Sequence, residues 1–256
     1  MTEREWLVCE DWRSMIAFTS GRWTQRKEML YVCAGLRSLW DLLYDYGSQF
    51  AVEVAERAAD RTASSGEIAA AEHNAETPTF GYQFESECVR TWNRNDTGVR
   101  RLMEMGVFTE EDLRVDGPLG DEKTRCRLLN AAEIAYHVVP PFGECGLLQE
   151  ILRYLSRQDE WPGGWLVREI LGNPFRSFSI AGSVAVWNDS IISRLAQAAY
   201  DDRILPAGTL DNTRLFILAD ALEEAGCTDE QILTHLRGGG EHYRGCWVID
   251  LLLGKQ

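Results

Sequence analysis

The chain has 256 residues, 45% of them hydrophobic and 26% charged, which are globular values rather than those of a low-hydrophobicity disordered chain. A formal net charge of −14 repels phosphate backbones and anionic lipid, and the densest basic run, Arg94 to Arg101, is interrupted by Asp96. Nucleic-acid and membrane partners are therefore unfavoured. No apolar run approaches the roughly 20 residues of a membrane span. Seven cysteines without a CxxC pair, and a start that lacks a leader pattern, predict free thiols in a reducing cytoplasm.

Thr2-x-x-Glu5 has the capping-box pattern and predicts a short helix carrying Trp6 and Cys9. From Thr24 to Asp45, Met29, Cys33, Leu36, Trp40 and Leu43 recur at steps of four and three, the stripe of one long helix ended by Gly47. Ser48 to Thr62 predicts a second amphipathic helix, with Phe50, Val54, Ala55 and Ala58 inward and Glu53, Glu56, Arg57 and Asp60 outward. Its short connection favours an antiparallel pair with the preceding helix. Glu67 to Glu76 is Ala-rich and reads as helix up to Thr77-Pro78.

Tyr82 to Trp92 and Gly120 to Val139 also read as helices, and Pro140-Pro141 closes that block. A helix over Leu147 to Leu155 follows. Trp165 to Leu171 is a helix stopped by Gly172-Asn173-Pro174, and Phe178 to Val186 an ordered loop with slight strand character. Asn188 or Asp189 caps a helix to about Ile204, with Ile191, Ile192, Leu195, Ala196, Ala199 and Tyr200 on its inner face.

The C-terminal stretch is the most fully specified. Asp211 caps a helix with Leu215, Leu218, Ala219 and Leu222 at i, i+3, i+4, i+7, and Gly226 stands at its C-cap. Thr228 to Gln231 reads as a second capping box, opening a helix with Ile232, Leu233 and Leu236 inward. Gly238 to Gly240 then release the chain before a last helix with Trp247, Val248, Leu251 and Leu252. The expected class is all-α, a multi-helix orthogonal or antiparallel bundle array with ordered loops. Its N-terminal helical region is 1–139 and its C-terminal helical region 142–256, divided near Pro140-Pro141, with a single domain as the alternative.

Leu166 to Phe175 (LVREILGNPF) and Leu218 to Gly254 (LADALEEAGCTDEQILTHLRGGGEHYRGCWVIDLLLG) resemble a family of planctomycete-type bacterial proteins with no assigned activity. Thr2 to Trp40 looks like the start of the same family. The resemblance implies no catalytic residues. Leu215 to Gly226 also looks like helical modules found beside leucine-rich repeats in such bacteria, which implies an accessory or interaction role.

Cys227, His235, His242 and Cys246 bring two thiols and two imidazoles into one short stretch, a ligand set suited to tetrahedral zinc. Their spacing matches no standard finger. The same residues also read as packing groups: Cys227 after a cap glycine, Cys246 beside Trp247, and two histidines hydrogen-bonding around the glycine loop. No other cofactor is called for. There is no GxSxG elbow and no HExxH motif, and the glycine triplet lacks the Lys-Ser/Thr of a phosphate loop. His73 and His137 read as structural. Trp6, Trp12 and Trp23 crowd the first 25 residues and form either core or a docking patch for a protein partner.

The leading functional expectation is a non-catalytic cytoplasmic interaction or accessory module. One concrete version is an acidic inhibitor or immunity-type protein facing a basic partner. The alternative is a metal- or cysteine-dependent enzyme, or a zinc-stabilised module, built on the C-terminal Cys/His cluster.

Overall fold

Apolar residues at helical spacing, closed off by well-formed caps, make nearly every element of the chain a helix. The computed structural model describes residues 1–43, 46–75, 131–132, 134–139, 161–185 and 187–255. In chain order the helices are α1 (Glu3–Val8), α2 (Trp12–Phe18), α3 (Gln25–Ser38), α4 (Tyr46–Ala59), α5 (65–75), α6 (Gly164–Leu171), α7 (Gly182–Ala185) and α8 (Trp187–Asp201). A two-residue hairpin follows, β1 (Arg203–Ile204) and β2 (Thr209–Leu210), and then α9 (Asn212–Glu224), α10 (Glu230–Leu236) and α11 (Trp247–Leu253). The fold is all-α. Among the described residues no helix is long and apolar enough to cross a membrane.

The chain divides into two compact units, one of Met1–Ser38 with Pro162–Gln256 and the other of Leu39–Trp161. The expected boundary at Pro140-Pro141, the Tyr82 to Trp92 and Leu147 to Leu155 helices, and most of the Gly120 to Val139 helix lie outside the described residues. In the second unit α4 buries Ala51, Val52, Val54 and Ala55. Gly47 lies inside the first turn of α4 instead of stopping the helix before it, and Glu56, expected outward, is buried. Ser64 and Glu67 cap α5 reciprocally, with the Ser64 N–H donating to Glu67 Oε2 at 2.8 Å and the Glu67 N–H to Ser64 Oγ at 3.2 Å.

The first unit begins with the predicted capping box. The Thr2 N–H donates to Glu5 Oε2 at 2.7 Å and the Glu5 N–H to Thr2 Oγ1 at 3.3 Å. α3 stops at Ser38, short of the expected Asp45, where the Ser38 hydroxyl bonds back to the Gly35 carbonyl at 2.8 Å; a 3₁₀ turn, Trp40–Leu42, follows. Within this unit α2 and α3 pack on α6, α8 packs on α9 and α11, and α9 on α10. Ile192, Ala196, Leu215, Leu218, Leu222 and Ile249 are central to the core between them.

Polar contacts join the first 38 residues to the stretch from Pro162 onward, among them a bond from Arg37 to the Pro206 carbonyl at 2.8 Å. The Arg168 guanidinium on α6 donates to the carbonyls of Trp6 at 3.2 Å and Cys9 at 2.6 Å, while Asn173 and Arg176 donate to Glu3 at 2.7 and 2.8 Å. Backbones approach so closely here that a Cβ on Gly164 would lie 2.1 Å from the Cys9 carbonyl oxygen, which only glycine allows. Arg26 of α3 reaches Asp250 of α11 at 2.9 Å and the Tyr200 hydroxyl of α8 at 3.0 Å.

Of the tryptophans expected to form core or a docking patch, Trp6 and Trp12 are core. Trp6 is fully buried and Trp12 5% exposed, and Trp23 is half-buried with its ring edge on Tyr31 and its Nε1–H donating to Thr19 at 3.1 Å. α1 and α2 use Trp6 and Trp12 to pack onto the unit, whereas Trp23 lies between α2 and α3. The ordered loop expected over Phe178 to Val186 is a loop as far as residue 181, followed by the one-turn α7. The hairpin comes later, where the helix expected to reach Ile204 ends at Asp201.

Candidate metal centre

Three local decisions aim the C-terminal histidines and thiol at one point. Asp229 caps α10, accepting from the Gln231 N–H at 2.9 Å and the Ile232 N–H at 3.3 Å, one residue later than the expected Thr228 box. Its buried face of Ile232, Leu233 and Leu236 then fixes where His235 projects. Beyond the glycine triplet, the Leu210 N–H of β2 donates to the His242 carbonyl at 2.7 Å, pinning the loop. Cys246, the N-cap residue of α11, follows Gly245, whose φ of +91° takes the left-handed turn needed there.

The fourth member comes from elsewhere in the chain. Glu169 on α6 stands 73 positions before His242 and is 4% exposed, between the buried Val167 and Ile170. Glu169, His235, His242 and Cys246 each offer one donor atom, and all these atoms lie within 4.8 Å of one another. His242 Nδ1 is 3.1 Å from Glu169 Oε2, His235 Nε2 is 3.2 Å from the same oxygen and 3.3 Å from Cys246 Sγ, and Cys246 Sγ is 4.0 Å from His242 Nδ1. Metal bonds of about 2.0–2.1 Å to nitrogen and oxygen and about 2.3 Å to sulfur, at tetrahedral angles, put neighbouring donors about 3.3–3.6 Å apart. The observed separations bracket that range.

Cys227 is not among the converging donors. Its amide bonds to the Leu222 carbonyl at 2.9 Å, completing the cap turn after Gly226 (φ +92°), and its side chain packs against the core. That geometry commits it to the end of α9. Glu169 takes its place. The apolar stripe of Leu166, Val167 and Ile170 signals that Glu169 between them is buried, but not which residues it meets.

Electrostatics couple these groups to one another. Burial works against the Glu169 carboxylate, but the charges and hydrogen bonds of His235 and His242 outweigh it and hold its pKa at about 2. Burial also opposes the His242 imidazolium, and the bond and charge of Glu169 more than compensate, raising its pKa. The Cys246 thiol is pushed well up by burial and by the Glu169 charge. A thiol so held is a poor nucleophile at neutral pH. It is a good ligand only when a metal ion replaces its proton.

The second shell is partly built. The Tyr243 N–H donates to Glu169 Oε1 at 3.2 Å, orienting the carboxylate so that Oε2 faces His235. His242 Nε2 is buried and has no hydrogen-bond partner among the described residues. The His235 ring lies edge-on to His242 with centroids 4.8 Å apart and tilts over Trp247 at 5.2 Å. Elsewhere, His73 is exposed on α5 and His137 stacks edge-on with Tyr136 at 5.3 Å. Cys9, Cys33, Cys227 and Cys246 are free thiols.

No family model matches this chain, and no curated protein or solved structure matches it.

Proposed function

We propose that this chain is a zinc-stabilised helical accessory module, in which one ion held by Glu169, His235, His242 and Cys246 fastens α6 to the α10–α11 segment. The observation that carries the reading is the convergence of a carboxylate, two imidazoles and a thiol, all within 4.8 Å, from two separate stretches of chain. Two nitrogens, one sulfur and one oxygen form a borderline set, suited to zinc over the hard cations magnesium and calcium. The segments that resemble planctomycete-type proteins, 166–175 and 218–254, contain all four donors. Membership of that family belongs to the same proposal.

The module acts by contact in a reducing compartment. Its net charge of −14 favours a basic protein partner and opposes nucleic acid. The Cys246 thiol is fully buried and, as a metal ligand, has its lone pairs committed to the ion, which argues against a cysteine nucleophile.

Metal analysis of the full chain purified without chelator tests the reading. One zinc per chain is expected. Cobalt substituted for zinc should give a thiolate-to-metal charge-transfer band that disappears in Cys246→Ser while the helical circular dichroism stays unchanged. A parent chain that neither retains zinc nor takes up cobalt refutes the reading.

A further inference from the structure

The metal centre is not sealed. An open cleft of about 350 Å³ is lined by three of the four donor residues, Glu169, His235 and His242, together with Trp165, Glu241 and the backbone of Gly238 and Gly240. Cys246 does not line it. The side chains of Glu169 and His242 are 4% exposed and that of His235 20%, so the donor set touches solvent mainly through this histidine.

One donor is built to be exchanged. Glu169 has a second anchorage besides the ion, because its Oε1 accepts from the Tyr243 N–H at 3.2 Å. If Oε2 leaves a metal ion, the carboxylate remains held by that amide. His235, His242 and Cys246 would remain as three firm ligands, the number that leaves zinc one open position.

The cleft's other walls select what fills that position. Trp165 presents an aromatic surface, its ring 6.3 Å from that of Tyr243. Glu241 is exposed, and the Tyr243 hydroxyl donates to its Oε2 at 3.1 Å, holding the carboxylate at the rim. A zinc ion with the Cys246 thiolate and the Glu169 carboxylate is neutral overall, so the charge of Glu241 sets the sign of the cleft. The size suits a compact molecule at the low end of ordinary ligand pockets.

We infer that this cleft is a ligand site of the metal centre, taking a small cation that carries its own nitrogen or sulfur donor. The donor replaces Glu169 on the metal, the flat part of the ligand lies against Trp165, and the ammonium faces Glu241. The inference rests on the zinc reading of the four donors and goes beyond it, because a purely structural ion would be closed to ligands.

The test uses the cobalt-substituted full chain, with histamine as probe and imidazole and acetate as comparators. Histamine should shift the visible cobalt bands saturably and bind about five-fold tighter than imidazole, the scale of one exposed charge pair of about 1 kcal/mol. Acetate should bind more weakly than either. Glu241→Gln, which keeps an acceptor for Tyr243, should remove the advantage of histamine, and Trp165→Ala should weaken both azoles without loss of cobalt. Cobalt uptake with bands that none of the probes moves would show a closed structural centre and overturn the inference. Equal affinity for histamine and imidazole, unaffected by Glu241→Gln, would remove the cleft's part in recognition. A chain that takes up no cobalt fails at the earlier reading, and that outcome is distinct from both.

Discussion

The first unit contains two buried polar centres, and they differ in what they lack. At one, the Arg26 guanidinium meets the Asp250 carboxylate and the Tyr200 hydroxyl, with Lys27 close enough to feel the same carboxylate, and the Arg26 and Asp250 side chains are largely out of water. At the other, a carboxylate, two imidazoles and a thiol share a space, with all four donor atoms within 4.8 Å of one another. The first is balanced by the protein alone. The first ties α3 to α11 and α8; the second has the donor set of the proposed zinc site.

Breaking the balanced centre should have the largest effect. Asp250→Ala leaves the Arg26 charge, 12% exposed, without its carboxylate partner, and a loss of about 3–5 kcal/mol is expected in urea unfolding of the full chain. Zinc stoichiometry in the part that remains folded should be unchanged. A loss below about 1 kcal/mol would place this pair among weak surface bridges and erase the contrast.

Filling the open centre should act in the opposite direction. Zinc at a hundred-fold excess over its dissociation constant should stabilise the chain by about 2.7 kcal/mol, because the ion binds the folded arrangement and not the unfolded chain. The same titration of His242→Ala should give no increment. Equal stabilisation of both proteins would locate the ion elsewhere.

The smallest effect sharpens the assignment of donors. Cys227→Ala should leave zinc content unchanged and alter stability by less than about 1 kcal/mol, since this thiol closes a helix end and is only partly buried. Loss of metal from that variant would restore it to the ligand set and remove Glu169.

These contrasts follow how far the chain could be read without its fold. Caps and stripes are local, so Thr2, Asp211, Gly172 and the Leu215-Leu218-Leu222 face were legible, and the cap of α10 was misplaced by a single residue, from Thr228 to Asp229. His235, His242 and Cys246 were legible as donors because they are close in sequence. Glu169 was not, because its partners are set by the packing of α6, which no local period encodes. The burial of Glu56 and the early end of α3 belong to the same class, decided by neighbours distant in sequence or by a single side-chain bond such as that of Ser38.

The Arg26–Asp250 pair spans 224 positions, and Arg168 reaches back 162 positions to Trp6. During synthesis α1 to α3 emerge first, yet their partners on α6 and α11 are made only later. For most of the time on the ribosome their apolar faces, Trp6, Met15 and Leu30 among them, lack the surfaces they finally bury against. Such long-range closure slows folding and prolongs exposure of sticky segments. The early helices carry no strong net charge of their own to keep them apart, since Glu3, Glu5, Glu10, Asp11 and Glu28 are offset by Arg4, Arg13, Arg22, Arg26, Lys27 and Arg37, so their final burial waits on α6 and α11.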